Sequence, residues 1–400
     1  MRLFTGPQAT ARLWPSILLA ALTTSILAMR PTTSVRVAIR TAPTELATSL
    51  ALDTWSESRA PGMPIDIVVD TSALARLSAR GIAWEVLVPD VDALVADEAA
   101  RLAAPRSADA DWFAEYKDYG AISEHIANLA KLAPERVSLH GIGTSIDGRT
   151  IWALRIGGSS AAKSMLINGT QHAREWIAAM TTTCIADRFV RDYARDPAIR
   201  AFVDSTTLWV VPVVNPDGYQ YSWSTSRFWR KNRRGGYGVD LNRNWGVAFG
   251  GPGSSNNKRS DIYRGEYAFS EPESAAVRDL AQRERPQLAI DFHSYGQLVL
   301  YPWNYTSKRA VDHDLLAAVG DKMASAIYAQ HGQRYTLMSG VELYPAAGTA
   351  QDFMYGDIGA LAYTIELRPK GRSGFVLPPA EIRPTCDEGL AAVMALRTAP

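Results

Sequence analysis

The alternation of apolar and polar positions predicts a small α/β unit in the first hundred residues. Its short apolar stretches alternate with helical patterns, which predicts strands at 35–39, 65–69 and 84–88 and helices at 44–53, 72–78 and 89–102. The unit contains no histidine and few other side chains suited to catalysis. The small and polar residues 103–110 that follow it are typical of an exposed linker. Arg101 and Arg106 offer cleavage sites there to a trypsin-like protease.

From residue 111 onward, continuous apolar runs replace the alternating pattern. Such runs are typical of strands buried on both faces of a sheet, and they occur at 164–168, 208–214, 288–292 and 362–367. Two further strands are predicted at 137–142 and 150–155, and helical patterns lie at 122–132, 176–193, 271–283, 314–330 and 385–396. Strands that alternate with helices predict one α/β domain with a covered, mostly parallel sheet.

The N-terminus has the pattern of an export signal. Arg2 and Arg12 precede an apolar run at 13–28, which ends in small residues at Ala28. A membrane anchor is the alternative, but a spanning helix needs about 20 apolar residues and this run is shorter. We therefore expect residues 1–28 to be removed and the mature protein to be secreted, soluble and monomeric.

Composition excludes several classes of protein. Of the 400 residues, 47% are hydrophobic and 21% charged, so a disordered or fibrous chain is excluded. The net charge of +1 gives no overall attraction to nucleic acid or to an anionic membrane. Cys184 and Cys386 form either one long-range disulfide or two buried thiols. A cluster of cations is expected to form a solvated surface, apart from Arg230; its other members are Arg227, Lys231, Arg233 and Arg234.

Two histidines stand at the ends of predicted strands. His172 and His293 follow the strands at 164–168 and 288–292, and ligands of open α/β sheets bind at the carboxyl ends of strands. Glu175 lies three residues after His172. Two imidazoles and one carboxylate leave a fourth position for water, as hydrolytic zinc requires. The His-x-x-Glu pattern alone also arises by chance on helices, whereas a thermolysin-like site is excluded because His-Glu-x-x-His is absent.

The sequence around these residues resembles the A/B-type zinc metallocarboxypeptidases, the pancreatic-carboxypeptidase-like family. The matching blocks occur in the family's order, at 172–177 (HAREWI), 228–232 (FWRKN), 240–245 (DLNRNW), 293–297 (HSYGQ), 364–368 (TIELR) and 371–375 (GRSGF), with Tyr344 and Pro378. The resemblance covers residues 111–400. It implies a mixed, mostly parallel eight-stranded sheet flanked by helices, preceded by a small α/β pro-domain at 29–102 and an activation linker at 103–110.

The resemblance also implies roles for individual residues. His172, Glu175 and His293 would bind one Zn²⁺ per chain. Glu366 would be the general base that takes a proton from the attacking water, and Arg230 would stabilise the oxyanion. The remaining residues would bind the peptide substrate: Arg174, Asn242, Arg243, Tyr344, Ser294, Tyr295 and Phe375. The enzyme would then be a secreted carboxypeptidase that is made as a zymogen and activated by a trypsin-like protease.

Gln351 is expected at the base of the pocket for the C-terminal side chain, by its spacing from Tyr344. Because neither Gln351 nor its neighbours would pair with a substrate cation, we expect a preference for neutral C-terminal residues, apolar or aromatic, with polar ones tolerated. Asn304 and Asn168 head glycosylation sequons that are expected to be unused.

Two other functions remain as alternatives. A non-catalytic binding protein would keep the fold and a peptide groove, but it would typically lack a zinc ligand or the base. A peptidase for bacterial cell-wall peptides is disfavoured by the pro-domain and by the complete set of residues, Asn242, Arg243 and Tyr344, that the resemblance assigns to binding a terminal carboxylate.

Overall fold

The fold was examined in a computed structural model, which describes residues 35–56, 62–105, 107, 110–158, 161–371 and 374–400. The predicted export signal at 1–28 and Arg106 lie outside the described residues. None of the described helices has the length and apolar character needed to cross a membrane.

The first part of the described chain forms a four-stranded antiparallel sheet, here called the N-terminal unit. Its strands are β1 (Arg36–Thr41), β2 (Asp53–Thr54), β3 (Ile65–Asp70) and β4 (Trp84–Val88), in the order β2-β3-β1-β4. Its helices are α1 (Glu45–Leu50), α2 (Thr71–Ala79) and α3 (Val91–Ala103). Side chains of Thr44, Asp70 and Asp90 accept a hydrogen bond from the first turn of each helix, which explains where the helices begin.

The second part is built on an eight-stranded sheet. In chain order its strands are β5 (Val137–Thr144), β6 (Thr150–Ile156), β7 (Lys163–Gly169), β8 (Thr206–Val211), β9 (Leu288–Ser294), β10 (Leu298–Tyr301), β11 (Thr336–Ser339) and β12 (Leu361–Leu367). They lie in the order β11-β10-β12-β9-β7-β8-β6-β5. The four central strands are parallel, whereas β5, β6 and β10 have antiparallel neighbours. The predicted mixed, mostly parallel sheet is confirmed.

Helices cover both faces of this sheet. They are α4 (Tyr119–Leu132), α5 (Trp176–Arg191), α6 (Pro197–Ser205), α7 (Pro216–Ser224), α8 (Pro272–Glu284), α9 (His313–His331), α10 (Gly340–Leu343), α11 (Ala350–Phe353) and α12 (Ile382–Leu396). Short 3₁₀ turns lie at Trp112–Ala114, Arg234–Gly236, Leu241–Arg243 and Pro379–Glu381, and a π turn follows α11 at Met354–Ile358.

Two hydrophobic cores result, one on each face of the sheet. Alternate residues of β7 point to opposite faces, so Met165 and Ile167 join the core beneath α4, α5, α9 and α12, and Leu166 joins the core beneath α8 and α11. A disulfide between Cys184 of α5 and Cys386 of α12 crosses the first core. Both strands that carry the predicted zinc ligands are thereby held in the middle of the molecule.

Candidate active site

The three predicted metal ligands meet at the carboxyl ends of β7 and β9. His172 follows β7, Glu175 directly precedes α5, and His293 is the penultimate residue of β9. Their ligand atoms all lie within 4.8 Å of one another, and the side chains are fully buried. Nδ1 of His293 is 3.0 Å from both Nδ1 of His172 and Oε2 of Glu175. The sheet thus joins two sequence segments that are more than a hundred residues apart.

Each histidine is oriented by a buried aspartate. Nε2 of His172 is 3.1 Å from Oδ1 of Asp240, and Nε2 of His293 is 2.7 Å from Oδ2 of Asp291. An N–H held at Nε2 leaves the Nδ1 lone pair free for a metal ion, the arrangement that carboxylates behind metal-binding histidines produce. Asp291 also accepts hydrogen bonds from the side-chain amides of Asn168 at 2.6 Å and Gln171 at 2.5 Å.

The donor set fits zinc. Two imidazole nitrogens and one carboxylate are ligands that zinc binds at about 2.0–2.2 Å, and atoms about 3 Å apart can share an ion at that distance. Burial raises the pKa of Glu175, but the two histidines outweigh burial and hold it at about 2. Burial likewise raises the pKa of Asp240, yet Arg230 and Arg243 hold it well below the usual value. Both carboxylates are therefore ionised over the whole physiological range.

Glu366 reaches the same site through the register of the sheet. In β12 it pairs with His293 of the neighbouring parallel strand β9. Its side chain is buried and lines a pocket together with Asn242, Arg243 and Tyr344. The alternative role for Glu366, a structural ion pair with Arg368, is not observed, because Arg368 instead pairs with Glu381 and Glu388.

A turn at Leu241–Arg243 brings Asn242 and Arg243, which are expected to bind the substrate's terminal carboxylate, close to the metal ligand His293. Asn242 Nδ2 lies 3.4 Å from Nε2 of His293, and its Oδ1 accepts a hydrogen bond from the backbone of Ala350. The Arg243 guanidinium is buried, donates to the carbonyl of Gly253 and lies 5.9 Å from the ring centre of Tyr344. Arg230 donates to Asp240 at 2.9 Å, so Asp240 links this arginine to His172.

Comparison with known proteins agrees with this geometry. The family model "Zinc carboxypeptidase" matches residues 122–392. The chain is 35% identical to carboxypeptidase A4 of Mus musculus over 373 residues, which is 88% of this chain and 89% of that protein. It is 39% identical to carboxypeptidase B of Astacus astacus over 294 residues, 71% of this chain and 96% of that protein.

The chain belongs to the zinc carboxypeptidase family. The crystal structure of thrombin activatable fibrinolysis inhibitor superposes with a TM-score of 0.84 at 31% identity, covering 90% of this chain and 98% of that one. The protein is therefore a metallocarboxypeptidase of the A/B type, with zinc as its metal.

In this carboxypeptidase the N-terminal unit contacts the cleft residues directly. Arg174 donates to the carbonyl of Thr54 at 3.2 Å and lies 3.5 Å from the Asp53 carboxylate. The Tyr295 hydroxyl donates to Asp66 at 2.8 Å. These contacts occupy two side chains that were predicted to bind substrate.

Trp55 of the N-terminal unit packs its ring against two aromatic residues of the second part of the chain. Its ring centre is 4.8 Å from that of Phe228 and 6.1 Å from that of Phe375. Phe375 is buried in the presence of the N-terminal unit, as is Ser294 at the end of β9. The predicted aromatic lining is used here by the N-terminal unit.

The prediction of a solvated cationic surface is wrong for Arg227 and Lys231. Arg227 is buried, donates to Glu98 of α3 at 2.5 Å and lies 3.6 Å from the ring centre of Trp176. Lys231 is buried and donates to the carbonyl of Ser260. Carboxylates and carbonyls from distant parts of the chain surround these cations, which a local count of charges does not reveal.

The remaining two cations of the cluster have partners as well. Arg233 lies 3.6 Å from the ring centre of Tyr221, and Arg234 donates to Glu271 at 2.7 Å. Both are half-buried.

A small pocket beside Glu366 lies where the C-terminal side chain of a substrate is expected, and most of its described lining residues are polar. We call it the terminal side-chain pocket, and its described lining residues are Asn242, Arg243, Leu300, Asn304, Gly340, Leu343, Tyr344, Ala346, Thr349, Thr364 and Glu366. Gln351, predicted at its base, is buried in α11 and is not among these lining residues.

Asn304 and Asn168, which head the two sequons, are both buried, so neither is accessible to glycosylation in the folded chain.

Sequence reasoning missed the two aspartates that orient the histidines. Asp291 lies two residues before His293 in one strand, and residues at this spacing point to the same face. That periodicity was a usable signal. Asp240 lies in one of the family-like blocks, but nothing local connects it with His172, which is 68 residues away.

Proposed function

We propose that the protein is a secreted zymogen whose processed form removes single neutral residues from the C-termini of peptides. One observation carries this proposal: Glu366 pairs in the sheet with the ligand His293 and lines one pocket with Arg243. Thr54 of the N-terminal unit lines a second pocket together with Arg243 and Arg174. Bound zinc would polarise the scissile carbonyl and make a water molecule more acidic.

The residues of the cleft divide the work between them. Glu366 takes the proton of the attacking water at a carboxylate oxygen and returns it to the departing amine. Arg230, held by Asp240, faces the negative charge that develops on the carbonyl oxygen. Arg243, with Asn242 and Tyr344, binds the terminal carboxylate through charge-assisted hydrogen bonds. An amidated or extended chain would lack that carboxylate and would be rejected.

The subsites further along the peptide use residues that now contact the N-terminal unit. Arg174 would hold a carbonyl of the substrate, and Ser294, Tyr295 and Phe375 would line its path. The N-terminal unit supplies the hydrogen-bond partners of Arg174 and Tyr295. Neither side chain could therefore bind substrate while the unit is in place.

Activation would require removal of that unit. Arg101 lies in the last turn of α3 and pairs with Glu98 and Glu115, which makes it a poor protease site. We therefore propose cleavage at Arg106. Export through residues 1–28 is supported by the disulfide between Cys184 and Cys386, since such bonds persist in oxidising compartments.

Neutral specificity is supported by the charges around the terminal side-chain pocket. Of its described lining residues, Glu366 alone carries a carboxylate, and we assign that group to proton transfer. A substrate lysine or arginine would find no second carboxylate among them. Gln351, which the sequence placed at the base of this pocket, is neutral as well, although it is not among the described lining residues.

The test is mass spectrometry of a mixed peptide library after treatment of the protein with trypsin. Removal of single C-terminal residues, abolished by a zinc chelator and by Glu366→Gln, is expected. The untreated protein is expected to be much slower. Zinc binding without any trimming would contradict the proposal and favour a peptide-binding protein. Full activity without processing would contradict the zymogen alone.

A further inference from the structure

The terminal side-chain pocket is nearly filled by its own walls. It has about 20 Å³ of free volume, and one water molecule needs roughly 10–15 Å³. A benzene molecule is accommodated by an engineered protein cavity of about 150 Å³. An aromatic side chain would therefore require the walls to move apart.

Asn304 forms one wall and is held in place by two hydrogen bonds of its amide. Nδ2 donates to Oγ1 of Thr349 at 3.1 Å and to Oδ1 of Asp352 at 3.0 Å. The backbone N–H of Asn304 donates to the same carboxylate at 3.0 Å. Asp352 is fully buried, so swinging Asn304 aside would leave its acceptor less satisfied away from water.

Gly340 forms the facing wall and packs directly against this amide. A Cβ atom at Gly340 would lie 1.7 Å from Oδ1 of Asn304 and 2.4 Å from its Cγ. Only glycine is compatible with such a contact. The pocket is thus closed between an immobilised amide and a bare backbone, with the hydroxyls of Thr349 and Thr364 in the remaining walls.

We propose that Asn304 restricts this carboxypeptidase to C-terminal residues with small side chains, such as alanine and serine, and makes it discriminate against phenylalanine and tyrosine. The inference rests on the proposed function and narrows the neutral preference stated there. The Asn304 amide and the threonine hydroxyls supply hydrogen-bonding groups that a short hydroxyl side chain can use.

The experiment measures kcat/KM of the trypsin-processed enzyme on peptides that differ only in the C-terminal residue. The wild type is expected to prefer alanine and serine to phenylalanine. Asn304→Gly should raise the ratio of phenylalanine to alanine by about tenfold or more, since a single methylene already changes selectivity by roughly 10–200-fold. Asn256→Gly, the same change at an exposed loop position, should leave the ratio unaltered.

A second measurement tests the contact itself, independently of activity. Gly340→Ala should lower Tm in the wild type and lower it much less in the Asn304→Gly background. Should Asn304→Gly fail to fold, Asn304→Ser provides the same comparison with a smaller opening.

The outcomes separate the two proposals. Preference of the wild type for phenylalanine, or an unchanged ratio in a folded Asn304 variant, overturns the inference and leaves the carboxypeptidase activity standing. Absence of cleavage of every peptide overturns both.

Discussion

The cluster of metal ligands, His172, Glu175 and His293, lies next to the terminal side-chain pocket, with Glu366 between them. The carboxylates of the two regions have different partners. Around the metal ligands, Asp240 and Glu175 face arginine or histidine, and the pKa of each is held below its usual value. Beside the pocket, the donors to Asp352 among the described residues are neutral, and burial raises its pKa to about 7. The carboxylates near the metal ligands therefore stay ionised at neutral pH, whereas Asp352 beside the pocket changes its charge near pH 7.

This difference separates catalysis from selection. Substitutions at the cluster should reduce turnover of all peptides equally, whereas substitutions at the pocket should change only the ratio between peptides. Measuring both quantities for each variant tests whether the separation holds.

The largest effect is expected for Glu366→Gln. Loss of a general base reduces rates by about 10²–10⁴-fold, and kcat should fall alike for alanine and phenylalanine peptides. Zinc content should be unchanged, because Glu366 is not a ligand. A change in the ratio between the peptides would show that Glu366 also selects the side chain.

Arg243→Lys should have the next largest effect. A hydrogen bond to a charged group contributes about 1.5–3 kcal/mol, so loss of one bond of the guanidinium pair should lower kcat/KM by about 10–100-fold. The loss should be uniform over C-terminal residues. Peptides with an amidated C-terminus provide the control, and an equal loss on them would contradict the assignment of Arg243 to the terminal carboxylate.

Asp291→Asn should weaken zinc binding. Partners behind a metal-binding histidine contribute about 10–100-fold to affinity, and an amide cannot hold the N–H of His293 as a carboxylate does. Competition with a chromophoric chelator measures the change in Kd. Unchanged zinc affinity in a folded variant would show that Asp291 does not contribute to metal binding through His293, and that its hydrogen bonds with Asn168 and Gln171 serve only the fold.

The smallest effect on catalysis is expected for Glu273→Gln. Glu273 lies in α8 and, like Asp352, is a buried carboxylate whose pKa is raised. Glu273 is buried with the neutral Asn232 as a partner, and burial raises its pKa to about 7 from 4.5. The folded state keeps its proton where the unfolded state has lost it. The stabilisation is therefore complete below about pH 4.5 and is lost as the pH rises to about 7.

The size of this term follows from the shift. At 1.36 kcal/mol for each pKa unit, the unfolding free energy should fall by at most about 3 kcal/mol across that range. Glu273→Gln should flatten the dependence of Tm on pH, with kcat/KM unchanged. A parallel decline in both proteins would assign the dependence to other groups.

The sequence allowed the cluster to be predicted and left the pocket largely undetermined. His172, Glu175 and His293 follow apolar runs whose ends coincide at one edge of a parallel sheet, so periodicity and motif pointed to the same place. The pocket depends on contacts between separate loops. Asn304 heads a sequon that we expected to be unused, and nothing near it in the sequence indicated its packing against Gly340.

The fold shows the same division between local and long-range information. Long helices and central strands were predicted within a few residues, because their periodicity is strong. The short strands β10 and β11 and the helices α6 and α7 were missed, since four to nine residues carry little periodicity. Likewise, the pairing of Arg227 with Glu98 joins residues 129 positions apart.

The disulfide between Cys184 and Cys386 has a consequence for the proteolytic activation that we propose. It closes a loop spanning 202 positions, which includes His293, Arg230, Tyr344 and Glu366. By loop length alone, such a link lowers the entropy of the unfolded chain enough to contribute about 5 kcal/mol. A nick anywhere inside the loop would leave the two fragments covalently joined. The proposed activating cut at residue 106 lies outside the loop, so releasing the N-terminal unit would leave the chain between the two cysteines intact.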